Sequence, residues 1–387
     1  MRILFLTNHL NGNDGWSRYS IDFIEELKNL GNEVLVLTSR KSNQTKITKI
    51  NEHSILKEPL KYLANPLKSF LDASKVRKII NQFSPDIMHF MAEPYATILP
   101  FLGNIKSKTF ITVHGTYSVI PILFNDFLRK KISWRLSKRY YARLDGIVAV
   151  SDYTKEHLLK YFPRVKEKIR VITNGVNLEK HKIIDLNKKP KNETKKILFV
   201  DAVKPRKGIL EAIQACKYYR DNFSDNFIYN IVGEYSPNGS YYQGLLKKIK
   251  DYNLENKIFF REKVTDEELE NYYLNADLFL MPAINIANHF EGFGLVYLEA
   301  NAKGVPCIGS KDCGAQEAIL DGKTGYVVNP HNFKEIAEKI DFVLNKNAIS
   351  GQDCIEWARK NDIKIKTKKL IEFYEEERSE TRDLEKN

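Results

Sequence analysis

Glu291 and Glu299 stand eight residues apart around Glu291-Gly292-Phe293-Gly294, and that spacing is the strongest chemical signal in the chain. The glycines break the backbone before a helix that starts near Leu295 and ends at Gly304-Val305-Pro306. A loop running into a helix presents free N–H groups and the positive end of a dipole, which suit a phosphate. Carboxylates on either side suit hydroxyl groups, which need acceptors. A nucleotide sugar combines both needs. In the blander reading the acids are solvated on a surface turn, but Phe293 and Leu295-Val296-Tyr297-Leu298 call for burial.

Three further groups carry chemistry. His114-Gly115-Thr116 directly follows an apolar run ending at Val113, where an imidazole can bond a substrate hydroxyl or phosphate or support a developing charge. A lone histidine is more often structural; the strand-end position and Gly115 favour function. Lys204-Pro205-Arg206-Lys207-Gly208 opens a helix, and a cation there can clamp a diphosphate. Gly12-Asn13-Asp14-Gly15 is a tight turn facing phosphate or sugar, and it does not fit the Gly-x-Gly-x-x-Gly dinucleotide pattern.

Residues 124–144 form a cationic stretch, with Arg129, Lys130, Lys131 and Arg135 interleaved with Leu128, Trp134 and Tyr140. It suits an anionic membrane surface on the acceptor side, or equally a core helix with a solvated basic face. Nucleic acid is not expected as a partner, because no recognised module accompanies the charge.

These groups need elements to hold them. Ile3-Leu4-Phe5-Leu6, a glycine turn, a helical period from Tyr19 to Leu30 and Glu33-Val34-Leu35-Val36-Leu37 make a βαβ unit; Ile197-Leu198-Phe199-Val200 starts a second one. Short apolar runs near 87–90, 109–113, 146–150, 169–172, 257–260, 278–280 and 325–328 continue the alternation expected of parallel α/β sheets. At 387 residues, two Rossmann-like domains are expected, 1–183 and 184–387, with a polar, lysine-rich linker over 181–196. Ligands then bind at the carboxyl ends of the strands, in a cleft between the sheets.

Composition narrows the class. No apolar run approaches the roughly 20 residues of a membrane-spanning helix, and the first residues resemble a buried strand more than a secretion signal. Four scattered cysteines without a Cys-x-x-Cys pair imply reduced, packed thiols in a cytosolic compartment and no structural zinc. Residues 1–200 hold 35 Lys+Arg against 18 Asp+Glu, and residues 201–387 hold 26 against 31, so the basic excess lies in the first half.

Taken together, these motifs resemble the retaining glycosyltransferases of the GT-B fold, family 4 (group 1). The resemblance rests on residues 289–294 with Glu299-Ala300-Asn301-Ala302-Lys303-Gly304-Val305-Pro306, on Asn174-Gly175-Val176-Asn177, Lys207-Gly208, Gly233 and Gly325-Tyr326-Val327. It implies transfer of a sugar from a nucleoside diphosphate, uridine or guanosine, to a hydroxyl acceptor, a glycan or lipid-linked glycan of the cell envelope. It also implies no cofactor and no obligatory metal, and a cytoplasmic protein that can be peripheral at the membrane.

Site residues follow from the same resemblance. Glu299 would hold the donor's ribose; Glu291, Gly292, Phe293, Gly294 and Leu295 its sugar and phosphates. Lys207, with Arg206, would bind the diphosphate, and His114 would sit near the transferred sugar. Gly15 would face the donor, and Gly12 the acceptor. A final helix, about 357–377, would return to the first domain. Where the family often carries an arginine five residues before Lys207, this chain has Ala202, so either Arg206 or Lys204 shares the leaving group's charge or the diphosphate is held more weakly. A nucleotide-sugar epimerase or hydrolase, or a non-catalytic sugar-binding protein, are the rival readings.

Overall fold

A computed structural model of the chain describes residues 1–12, 15–39, 50–262 and 264–384, with side chains to residue 379. Asn13 and Asp14 of the first glycine turn lie outside the described residues. Two compact units result: Met1–Asn174 with Ile363–Asn387, and Gly175–Asp362.

The first unit is built on β1 (Arg2–Leu6), β2 (Glu33–Thr38), β3 (Asn51–Ser54), β4 (Ile87–Phe90), β5 (Lys108–Val113), β6 (Gly146–Ala149) and β7 (Ile169–Val171). All pair in parallel, in the order β3-β2-β1-β4-β5-β6-β7. The second unit holds β8 (Lys195–Val200), β9 (Phe227–Val232), β10 (Ile258–Arg261), β11 (Leu278–Leu280), β12 (Cys307–Ser310) and β13 (Gly325–Val328), ordered β10-β9-β8-β11-β12-β13. Helices cover both faces of such sheets, so central strands are apolar throughout; Ile3, Leu4, Phe5 and Leu6 are fully buried. In each unit the chain leaves its first strand in one direction and later returns to that strand's other side. The switch points fall between β1 and β4 and between β8 and β11.

Two expectations need correction. The units divide at Asn174/Gly175, not at 183/184, because the segment after Asn174 is already held by the second unit. Val176 N–H donates to the Asn361 carbonyl at 2.9 Å and pairs with Asp362, while His181 Nδ1 is 2.6 Å from Glu270. The final helix expected over about 357–377 is parts of two helices, Gly351–Lys360 and Ile363–Leu384. Trp357 belongs to the first of these and stays in the second unit, donating to the Ala318 carbonyl at 2.9 Å. Only the helix from Ile363 joins the first sheet.

That last helix is fixed by aromatic packing. Phe373 and Tyr374 meet Phe110 edge-on at 5.2 and 4.7 Å, and Tyr374 bonds His89 Nδ1 on β4. Gly146 makes room: a Cβ there would lie 2.3 Å from Phe110 and 2.8 Å from Phe373. Arg378 reaches Asp86 at 2.7 Å. All four cysteines are buried and unpaired. Among the described residues no helix is long and apolar enough to cross a membrane.

Candidate active site

In the second unit, two loops leave the carboxyl edge at the switch point. The loop after β8 forms a short 3-10 turn, Pro205–Lys207, closed by Gly208 in the left-handed conformation. Proline sets the start of that turn, and glycine is required at its end because a Cβ would lie 1.8 Å from the Pro282 carbonyl oxygen. The loop after β11 is laced to it, with Ile284 N–H donating to the Arg206 carbonyl at 2.9 Å.

This lacing brings four charges together. Lys207, only 3% exposed, places Nζ 2.5 Å from Glu291 Oε2 and also pairs with Asp201. Arg206 Nη1 reaches the same Glu291 oxygen at 3.2 Å. Burial opposes charge on Lys207, but Asp201 and Glu291 hold it protonated above its ordinary value. Burial likewise opposes charge on Asp201, and Lys207 then Arg206 hold it below the usual carboxylate range. A buried lysine kept charged by two carboxylates is a ready anion clamp, since an incoming phosphate can take over the carboxylates' part. Ala202 occupies the place of the family's arginine, its N–H donating to Asp201 at 2.6 Å. The second cation in this cluster is Arg206.

Beside the cluster, Gly294 (φ 84°) opens the helix Leu295–Ala302 with no side chain capping it. Gly314 allows the loop to pass so closely that a Cβ on it would lie 1.9 Å from the Gly292 carbonyl oxygen. Phe293 is buried, and Tyr297 donates to the Met281 carbonyl at 2.6 Å, fixing the helix against β11.

Glu299 has different company from Glu291. It is 2% exposed, accepts from Tyr273 OH at 2.6 Å and lies 3.7 Å from His181 Nε2. Glu270 and Lys303, 2.6 Å apart, extend that network. Tyr273 is near the end of Asp266–Asn275, the helix that feeds β11, so the network lies back toward the amino edge of the sheet.

The first unit has its own cluster at the β1/β4 switch point. Glu93, fully buried after β4, accepts from Trp16 Nε1 at 3.0 Å and from the His114 N–H at 2.7 Å, tying together the segments after β1, β4 and β5. Burial pushes its carboxyl up to about 7, against backbone and indole donors that favour the charge. His114 Nε2 lies 2.9 Å from the Met91 carbonyl, and Tyr19 packs edge-on at 4.6 Å. A carbonyl only accepts, so Nε2 carries the proton and Nδ1 is left as an acceptor. Burial lowers the imidazole to about 4. It is therefore neutral near pH 7, able to accept from a hydroxyl and unable to offer a positive charge. Gly12 (φ 75°) donates to Ser17 at 2.8 Å, and Gly15 starts the first helix, Gly15–Asn29, with nothing within 4 Å of where a Cβ would be.

The cationic stretch is the helix Phe127–Arg143, capped by Asp126. Trp134 does not face outward as expected for a membrane-side residue. It packs against the core, 5.2 Å from Phe162, while Arg129, Lys130, Lys131 and Arg135 lie on the outer side. Sequence reading also missed Glu93 and Asp201. Both follow strands at the carboxyl edge, the same signal that pointed to His114.

Known proteins resemble this chain throughout. Residues 181–361 match the family described as "Glycosyl transferases group 1", and residues 13–180 match "Glycosyltransferase Family 4". The D-inositol 3-phosphate glycosyltransferase of Streptomyces avermitilis is 26% identical over 54% of this chain and 47% of its own length. The GDP-mannose-dependent alpha-(1-6)-phosphatidylinositol monomannoside mannosyltransferase of Mycolicibacterium smegmatis is 32% identical over 41% of each chain. The chain thus spans less than half the length of either relative. Anabaena HepE, solved in complex with UDP, superposes with a TM-score of 0.74 at 18% identity, over 96% of this chain and 99% of that one. Its fold is shared across both units.

Proposed function

The chain belongs to glycosyltransferase family 4, and from that premise we propose that it moves a sugar from a nucleoside diphosphate to a hydroxyl acceptor with retention of configuration. The observation that carries this reading is the buried Lys207–Glu291 pair with Arg206 at the switch point of the second sheet. Lys207 and Arg206 would take the diphosphate, adding to the donors at the start of Leu295–Ala302. Glu291, released from the cations, would accept from sugar hydroxyls. In the first unit, His114 Nδ1 offers an acceptor to a further hydroxyl. Ribose binding by Glu299 would require its carboxylate to exchange Tyr273 for the sugar.

Bond changes in this proposal balance without a protein nucleophile. The bond from the anomeric carbon to the β-phosphate oxygen breaks, the acceptor oxygen bonds to the same face, and the departing phosphate takes the acceptor's proton. Lys207 and Arg206 bear the charge of the leaving group, so transfer would proceed without an obligatory metal. Relatives support donors of this class: one is GDP-mannose-dependent and one was solved in complex with UDP. A lipid-linked or polysaccharide acceptor is the corresponding proposal for the other substrate.

Thermal shift with UDP, GDP and their sugars is the first test, because a ligand that binds only the folded chain raises the midpoint. A hit, unchanged by EDTA, selects the donor for a transfer assay in which NMR reads the product's anomeric configuration. No shift with any nucleoside diphosphate, or an inverted product, refutes the reading. Sugar altered or released without acceptor points to an epimerase or hydrolase.

A further inference from the structure

Asn230 interrupts an apolar strand. It lies inside β9, between Phe227-Ile228-Tyr229 and Ile231-Val232, and asparagine is disfavoured in an interior strand of this kind. Asn230 is only 8% exposed, yet among the described residues its side-chain amide has no hydrogen-bond partner. Leaving a buried amide unpaired costs stability. A ligand that supplied the missing partner would offset that cost.

The amide opens on a cavity of about 400 Å³ between the second sheet and the helix Asp266–Asn275. Parallel register sets Lys196 beside Ile228 and Leu198 beside Asn230, and the two-residue period of a strand turns all four toward the cavity. Opposite them stand Glu268, Asn271, Tyr272 and Asn275, which recur at the spacing of one helix face. Glu270 and Tyr273, which serve the Glu299 network, lie on another face of the same helix. Lys196 and Ile228 are the second residues of β8 and β9, whereas the Lys207 cluster follows the carboxyl end of β8. The cavity is therefore separate from the charge cluster.

Its lining identifies the class of ligand. Leu198 and Ile228 make an apolar floor, three asparagine amides can each donate and accept, and Tyr272 adds a half-buried ring with a hydroxyl. Lys196 and Glu268 carry opposite charges, so the lining has no net charge with which to hold a phosphate. A wholly apolar ligand would leave Asn230 unpaired. A peptide strand would find no open ladder on β9, whose backbone already pairs with β8 and β10. A neutral sugar meets each condition: its hydroxyls donate and accept as the amides do, and its C–H face suits the apolar floor and the tyrosine ring.

We propose that this cavity is a carbohydrate-binding site apart from the Lys207 cluster, taking a neutral oligosaccharide with Asn230 as its buried hydrogen-bonding partner. Asn271 and Tyr272 meet the sugar from the rim. Binding of this kind is independent of whether the chain transfers sugar.

Saturation-transfer NMR on the full chain with maltose, cellobiose, mannobiose and diacetylchitobiose, each at millimolar concentration, tests it. The expected result is transfer to at least one of these disaccharides, undiminished by UDP or GDP. Asn230→Leu, which replaces the amide with an apolar group of similar size, should weaken the binding at least about tenfold. Asn271→Ala should weaken it about threefold. A thermal midpoint no lower than that of wild type verifies that Asn230→Leu folds, and the exposed Asn271 keeps the test decisive if it does not. No transfer to any of the four sugars, or transfer that neither variant reduces, overturns the proposal. So does displacement of the sugar by inorganic phosphate, since the cavity would then be an anion site.

Discussion

The charge cluster around Lys207 and the polar cluster around Glu93 occupy equivalent places in two sheets of the same order, yet their electrostatics are opposite. In the second unit two cations and two carboxylates face one another, and Lys207 and Asp201 hold each other charged. In the first unit one carboxyl is buried with N–H donors for company, beside an imidazole that burial keeps neutral. Topology supplies a place for a ligand, and side-chain charge decides which. The Lys207 cluster suits an anion; the His114 cluster suits a neutral hydroxyl.

Lys207→Ala breaks the contrast most severely. Two acids would lose their buried partner, destabilising the second unit by about 3 kcal/mol, and transfer should fall at least about 10³-fold with no thermal shift from UDP or GDP. A nucleotide-induced shift equal to wild type in this variant would remove the clamp from the site.

Glu93 gives the next largest effect, through pH. Its folded carboxyl holds a proton up to about 7 against an ordinary 4.5, so its contribution is full below about 4.5 and is lost as pH rises through 7. The span is about 3 kcal/mol. His89, lowered to about 3, and His114, lowered to about 4, act oppositely, contributing above about 6.5 and losing that as pH falls. The difference between wild type and Glu93→Gln isolates the carboxyl: urea titrations from pH 4.5 to 7 should show wild type losing stability relative to the variant. Parallel curves would mean that Glu93 does not titrate there.

His114→Ala sharpens the comparison from the other side. Transfer should drop about 10²-fold, while the thermal shift from UDP or GDP persists, because the clamp belongs to the second unit. Arg206→Ala is the mildest: its guanidinium is part-exposed and bonds one oxygen at 3.2 Å, so nucleotide affinity should weaken about tenfold. Isothermal titration distinguishes this from the complete loss expected for Lys207→Ala.

Legibility in the sequence followed burial. Central strands such as β1, β5 and β8 are continuous apolar runs and announce themselves. β3 does not, because Asn51-Glu52-His53-Ser54 is a largely exposed edge pairing only with β2, and β12 is a four-residue strand containing Gly309. Lys207 and Glu291 were found because glycines mark their turns. Glu93 and Asp201 were not, since an acid after a strand looks solvated until the fold shows what encloses it.

Amino-acid order by itself determined the two βα units, the glycine turns at their carboxyl edges and the residues those turns present, because periodicity and backbone freedom are local properties. Tertiary structure decided the rest: Arg206 standing where Ala202 leaves no cation, Glu299 drawn to Tyr273 and away from Glu291's partners, Trp134 turned inward, and Leu63 packed with Ile120 and Phe124. Each depends on which distant side chains burial makes neighbours, and on whether the charges so enclosed find partners.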